Sequence, residues 1–142
     1  MANWKNRLGS FFDETERKDE SQSRSPFEAF LADVAIPAFE ELSRELEQHG
    51  RRTTIRKSVS AAILTVSFGN TEEIMYRLQE RRLPDRTLPY AQVRMRERGG
   101  LKLVTVEAMV RPGEHNYHTS DITKEEVIQS VLQHYMSRIK LN

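Results

Sequence analysis

Residues 90–110 read YAQVRMRERGGLKLVTVEAMV, two alternating runs on either side of Gly99-Gly100. A Gly-Gly pair in that setting is a strong hairpin signal, because both central positions of a type I′ turn take positive φ, which glycine adopts without steric cost. A two-residue loop also fixes the register. Arg98 faces Leu101, Glu97 faces Lys102, Met95 faces Val104, Val93 faces Val106 and Ala91 faces Ala108. One side of the ribbon then carries Ala91, Val93, Met95, Val104, Val106 and Ala108. The other carries Arg94, Arg96 and Arg98 beside Leu101, Leu103, Thr105 and Glu107.

Upstream, Ala62, Leu64, Val66 and Phe68 alternate in the same way, and Gly69-Asn70-Thr71 predicts a three-residue loop after them. That loop sets Phe68 opposite Glu72, Val66 opposite Ile74, Leu64 opposite Tyr76 and Ala62 opposite Leu78, with Met75, Arg77, Gln79 and Arg81 outward. Residues 71–83 also carry helix signals: Asn70 stands ahead of Glu72 and Glu73, helix formers run to Arg82, and Pro84 follows. The strand is the preferred reading, since its register gathers the apolar residues of both flanks on one face, whereas propensity alone is a weak guide. Residues 53–57 form a further, β-branched strand candidate.

Helical signals bracket these strands. Ser25 is an N-cap for a helix opening at Pro26, and Phe27, Phe30, Leu31, Val34, Phe39, Leu42 and Leu46 supply its apolar faces. Pro37 falls inside that pattern, so either the helix kinks there or a second one starts near Ala38. Gly50 ends it. At the other end, Thr123 and Glu126 form a capping box ahead of Val127, Ile128, Val131, Leu132, Tyr135, Met136 and Ile139 at helical spacing. Arg138 and Lys140 suit the negative end of that helix. The order predicts an α+β domain over residues 26–142: an antiparallel sheet of four to five strands with the N-terminal and C-terminal helices packed on one face.

Ahead of it, residues 1–25 read as an arm. Residues 13–25 contain no apolar side chain and form a flexible linker. Before the linker, Trp4, Leu8, Phe11 and Phe12 recur at i, i+4, i+7 and i+8 around Lys5 and Arg7, the spacing of a short apolar helical face that suits anchoring on a partner's groove, a membrane surface or the parent domain itself.

Bulk properties narrow the function classes. A length of 142 residues suits one domain with a proper core. The absence of cysteine excludes disulfides, thiolate metal sites and cysteine nucleophiles. The longest apolar run, residues 61–66, is far short of the ~20 residues of a membrane span. No apolar signal region follows Met1, so a soluble cytoplasmic protein is expected. A net charge of +1 hides a segregation: residues 27–50 carry six acids against Arg44 alone, net −5, and residues 51–102 carry twelve basic against five acidic side chains, net +7. The first helix is acidic and the strand region basic.

The leading candidate site is Arg77, Arg81, Arg94, Arg96 and Arg98 on the face away from the helices. Guanidinium groups at alternate strand positions project together and match the separations of a partner's carboxylates or of backbone phosphates. The plainer reading is a solvated face, with arginine stems over Leu101, Leu103 and Met75 and with Glu97 and Glu107 as pairing acids. Open-sheet recognition of nucleic acid also uses exposed aromatics, and the outward positions are read as holding none. Glu114, His115 and His118 with Asp121 form the one group of metal-capable types, against which stand plain surface histidines, Asp121 as a helix starter and Tyr117 on the sheet rim. His49 and His134 read as structural. Ser58, Ser60 and Ser67 lack the glycine-flanked turn of a nucleophile, and no glycine-rich loop leads from a strand into a helix.

With no catalytic or cofactor motif, the expected function is that of a non-enzymatic interaction domain without a cofactor. It would bind a protein partner with an acidic surface through the arginine face, with Trp4, Leu8 and Phe11 of the arm as an apolar anchor. In general layout only, the chain resembles small sheet-and-helix chaperones and adaptors. Nucleic-acid binding by the same face is the second reading, and metal-dependent hydrolysis around His115 and His118 the third. A homodimer through the half-polar outward face or a sheet edge is a further expectation.

Overall fold

Period-two alternation is what the sheet is made from. In a computed structural model, which describes residues 25–96, 102–113 and 116–137, five strands pair antiparallel in the order β1-β2-β3-β4-β5. They are β1 (Arg52–Lys57), β2 (Ala61–Phe68), β3 (Thr71–Arg82), β4 (Thr87–Arg96) and β5 (Leu103–Met109). Residues 71–82 are strand, not helix, and Ala62, Leu64 and Val66 pair with Leu78, Tyr76 and Ile74. Ala91, Val93 and Met95 pair with Ala108, Val106 and Val104, the register a two-residue loop dictates. Gly99-Gly100, with Glu97, Arg98 and Leu101, lies outside the described residues, as do the arm residues Trp4, Leu8 and Phe11.

One predicted turn is corrected. Phe68 faces Thr71 rather than Glu72, so the loop is the two residues Gly69-Asn70, with Gly69 at φ +63°. The ladder then slips: Val66 pairs with Ile74 but Ser67 with Glu72, which leaves Glu73 as the extra residue of a β-bulge. The slip exchanges which glutamate faces the helices: the three-residue loop would turn Glu72 inward, whereas the extra residue seats Glu73 there, within reach of Arg51 and Tyr135, and turns Glu72 to the open face beside Arg94.

The helical layer starts with α1 (Pro26–Phe30), capped by Ser25, whose Oγ accepts from the Glu28 N–H at 3.1 Å. A π turn (Leu31–Ala35) leads directly into α2 (Ile36–Gln48). Pro37 has no N–H to donate and its ring crowds the carbonyl four residues back. The wide turn absorbs both problems: the Ile36 N–H reaches back five residues to the Leu31 carbonyl. The rod therefore continues through the proline, and its second segment starts at Ile36 instead of Ala38. Gly50, at φ +80°, turns the chain into β1. The last helix, α3 (Lys124–Ser137), is held by the expected box, with Thr123 N–H to the Glu126 carboxylate at 2.9 Å and Glu126 N–H to Thr123 Oγ at 3.2 Å. Arg138, Ile139 and Lys140 fall outside the described residues.

Both helices cover one face of the sheet. Phe27, Phe30, Leu31, Phe39 and Leu42 from the rod and Val127 and Val131 from α3 meet Leu64, Val66, Ile74, Tyr76, Leu78, Ala91, Val93 and Met95 in one core. Phe39 meets Tyr76 edge-on, ring centres 5.9 Å apart at 84°. Tyr117 belongs to this core and not to the sheet rim, because it is 2% exposed. Its outer surface is covered by the Arg111 guanidinium, 4.9 Å from the ring centre.

The Tyr76 hydroxyl is satisfied inside the core by Ser130 Oγ at 2.7 Å, and burial pushes its pKa up to about 12. A phenol whose folded pKa exceeds the unfolded value of about 10 contributes stability that is complete below pH 10 and is lost as pH climbs toward 12, by about 3 kcal/mol in all. Tyr76→Phe should therefore cost about 1–2 kcal/mol at neutral pH, where Ser130 loses its partner, yet lose less on going from pH 9 to pH 11.5. Urea unfolding at both pH values checks this; equal alkaline losses in the two proteins would show that Tyr76 does not titrate from the core.

Candidate interaction surface

Since the helices occupy one side, the outward side chains of all five strands form a continuous surface whose composition follows from the register. One row crosses the sheet as Arg56, Ile63, Arg77, Gln92 and Glu107, and the next as Thr54, Thr65, Met75, Arg94 and Thr105. A third joins Gln79, Tyr90 and Met109. Polar side chains alternate here with the apolar Ile63, Met75, Tyr90 and Met109, and the charged residues of these rows are three arginines against Glu107 alone. Leu103, 44% exposed, adds to its apolar part.

The arginines here are not equivalent. Arg94 makes a two-pronged contact with Glu72, Nε at 2.9 Å and Nη2 at 2.8 Å from the two carboxylate oxygens, and the bonding holds its pKa above the ordinary arginine value. Arg96 donates from Nε to the Glu72 carbonyl at 3.3 Å. One acidic residue thus engages two ribbon arginines. The acid is neither Glu97, which lies outside the described residues, nor Glu107, which is exposed and forms no ion pair among them. It is Glu72, which only the bulge brings to this face.

Arg77 stands differently. On the central strand, between Ile63 and Gln92, its Nε is enclosed and meets no hydrogen-bond acceptor among the described residues. Arg81, exposed at the far end of β3, lies with its guanidinium 5.3 Å from the ring centre of Tyr90, whose hydroxyl accepts from Gln79 Nε2 at 2.6 Å. Tyr90 corrects the expectation that no aromatic faces outward. It shares the parity of Gln92, Arg94 and Arg96, and an alternation counted from Ala91 passes it over. Of the five arginines in the candidate set, the structure gathers Arg77, Arg81, Arg94 and Arg96 on this face, and Arg98 falls outside the described residues.

On the opposite face the same bulge seats Glu73 inward, 7% exposed. Its carboxylate accepts from the Tyr135 hydroxyl at 2.5 Å and from Arg51 Nε at 3.3 Å, which raises the arginine's pKa. Burial, followed by the bond to Glu73, raises that of Tyr135. Arg51 also covers Phe68, 4.4 Å from the ring centre. This cluster fastens the last turns of α3 to the start of β3. The readable signal was the pair Glu72-Glu73 just after a turn, since any regular strand must direct one of two neighbours inward.

The metal-capable group resolves into a turn. Asp121 accepts from the His118 N–H at 2.9 Å and so closes the single 3₁₀ turn Thr119–Asp121; α3 is capped by Thr123, not by Asp121. Glu114 and His115 lie outside the described residues, among which no three histidine, aspartate or glutamate side chains gather. His134 is half-buried, 6.2 Å from Tyr76 between ring centres, and burial holds its pKa below the ordinary imidazole value. Ser58 Oγ accepts from the backbone of Ser60 and Ala61, holding the β1–β2 turn. His49 sits exposed, 3.7 Å from Glu45.

Comparison with protein-family models, with curated proteins and with solved structures finds no match to this chain. Among the described residues no helix is long and apolar enough to cross a membrane.

The two neighbouring glutamates provide a direct measurement of the bulge. Glu73→Ala removes a buried acceptor from Tyr135 and Arg51 and should cost about 2–4 kcal/mol. Glu72→Ala breaks only a partly exposed pair, worth below about 1 kcal/mol. Urea unfolding of both variants is expected to rank them in that order, and the reverse order would place Glu72 inside.

Proposed function

We propose that this chain is a binding module whose working surface is the uncovered face of the sheet and whose partner is a protein presenting carboxylates. The observation that carries the reading is Arg77: a guanidinium at the centre of the face, its Nε shut away from solvent with no acceptor. Such a donor costs about 1–3 kcal/mol while unsatisfied. The terminal nitrogens of the same guanidinium are not among the enclosed atoms, and a carboxylate docked over the central strand would accept charge-assisted bonds from them. Around Arg77, Ile63, Met75 and Tyr90 offer partly covered apolar surface, and Arg56 and Arg81 have no carboxylate partner among the described residues. That combination of an apolar centre with cations suits protein recognition. Arg94 and Arg96 contribute less to it, because Glu72 already engages them.

Nucleic-acid binding by the same face is the second reading, and the outward Tyr90 beside Arg81 is what favours it. A single aromatic gives one stacking platform, whereas phosphate-driven affinity would fall steeply between about 50 and 200 mM salt.

Titration of isotope-labelled protein with a glutamate-rich peptide and, separately, with a single-stranded oligonucleotide tests the assignment. Peptide-induced amide shifts are expected at Arg77, Met75, Tyr90 and Gln92. Arg77→Glu should weaken the peptide about tenfold, equivalent to 1.4 kcal/mol, and Arg94→Glu by much less. Shifts confined to the helices would overturn the reading. Preferential, salt-sensitive binding of the oligonucleotide would replace it with the second one, and concentration-dependent shifts on the same face without ligand would make the occupant a second copy.

A further inference from the structure

A second surface lies between the helices. Leu46, Ile128 and Leu132, each only partly buried, floor a groove of about 260 Å³ between α2 and α3, rimmed by Glu41, Glu45 and Glu125. Its apolar floor continues along α3 to Met136, which is 54% exposed. The volume falls below the roughly 300 Å³ at which small-molecule pockets begin, so the groove suits a few side chains of a peptide better than a compact ligand. Glu41 is held by Lys124 at 2.8 Å, which leaves Glu45 and Glu125 as the negative rim.

We infer that this groove is the docking site of the chain's own residues 4–12. Trp4, Leu8, Phe11 and Phe12 have the spacing by which one helical face fills an apolar groove, and Lys5 and Arg7 between them carry the charge opposite to the rim. The tether is long enough. Glu41 stands sixteen residues along the helical rod from Ser25, about 24 Å at helical rise, and the twelve residues 13–24 extend to about 40 Å. Those twelve contain no apolar side chain to compete for the floor. Attachment in the same chain supplies an effective concentration in the millimolar range, so weak intrinsic contacts suffice. The sheet face, being cationic, repels the same segment. The two surfaces thus take opposite charges and are independent of one another.

Trp4 is the single tryptophan of the chain and reports directly on its own position. In the full-length protein its emission is expected to be blue-shifted from that of free N-acetyltryptophanamide and its acrylamide quenching to be weaker. The exposed double variant Glu45→Lys with Glu125→Lys should release it, raising quenching at least about twofold, because tethered docking rests on modest contacts. Leu132→Glu should do the same, and far-UV circular dichroism checks that both variants stay folded. A solvent-like spectrum in the unaltered protein overturns the inference. So does protection that survives the charge reversal, which would seat the segment elsewhere, or protection that vanishes on dilution, which would seat it on a second copy.

Discussion

A sheet that is apolar on one side only has to be covered on that side, and the remainder of the structure follows from this constraint. Leu64, Val66, Ile74, Tyr76, Leu78, Ala91 and Val93 all lie under the helices, each fully shielded. Apart from Ala91 these are six large side chains, each worth roughly 1.5–3 kcal/mol relative to exposure. Leaving that face wet would forfeit this gain, so the two helical segments, separated by the whole sheet in sequence, return to the same face. The opposite face is left open as a consequence, not as a separate design.

The extra residue in β3 shows how one local irregularity serves both faces. A strand with two residues per repeat puts adjacent glutamates on opposite sides, and the slip decides that Glu73, not Glu72, is the one under the helices. With the slip, Glu73 meets a hydroxyl and a guanidinium on the helix side, while Glu72 meets Arg94 and Arg96 on the other. The basic face is therefore partly self-neutralised at one end. Arg77 and Arg81 lie beyond the reach of that acid, which is why the proposed contact centres on them and not on the three-arginine ribbon that stands out in the sequence.

Much of the architecture was legible because its carriers are periodic. The Gly-Gly pair with its flanking alternation predicted the three pairs Ala91–Ala108, Val93–Val106 and Met95–Val104 that the described ladder contains, and the Thr123–Glu126 box marked the last helix to the residue. What escaped notice had no periodic signature. The bulge depends on which of two identical residues is cheaper to bury, a comparison that needs the helix above it. The π turn depends on a proline whose neighbours could equally have kinked. Tyr90 was missed at the boundary of a pattern. Asp121 was assigned to the wrong helix start, since Asp121 and Thr123 both suit a cap and only the fold decides between two turns in succession. The candidate site was legible as a set of arginines, but not the ranking among them, which is set by a single acid from the neighbouring strand.

The separation of charge between the layers has a last consequence. Glu40, Glu41, Glu45 and Glu47 line the exposed flank of α2, whereas Arg52, Arg56, Arg77 and Arg81 project from the reverse of the sheet. The chain carries a net charge of only +1, yet these described side chains divide acid from base across the thickness of the fold. In the field of any anionic body it experiences a torque before it experiences much attraction. It is thus aligned during approach, and collisions that would be wasted on the wrong side become rarer at low ionic strength.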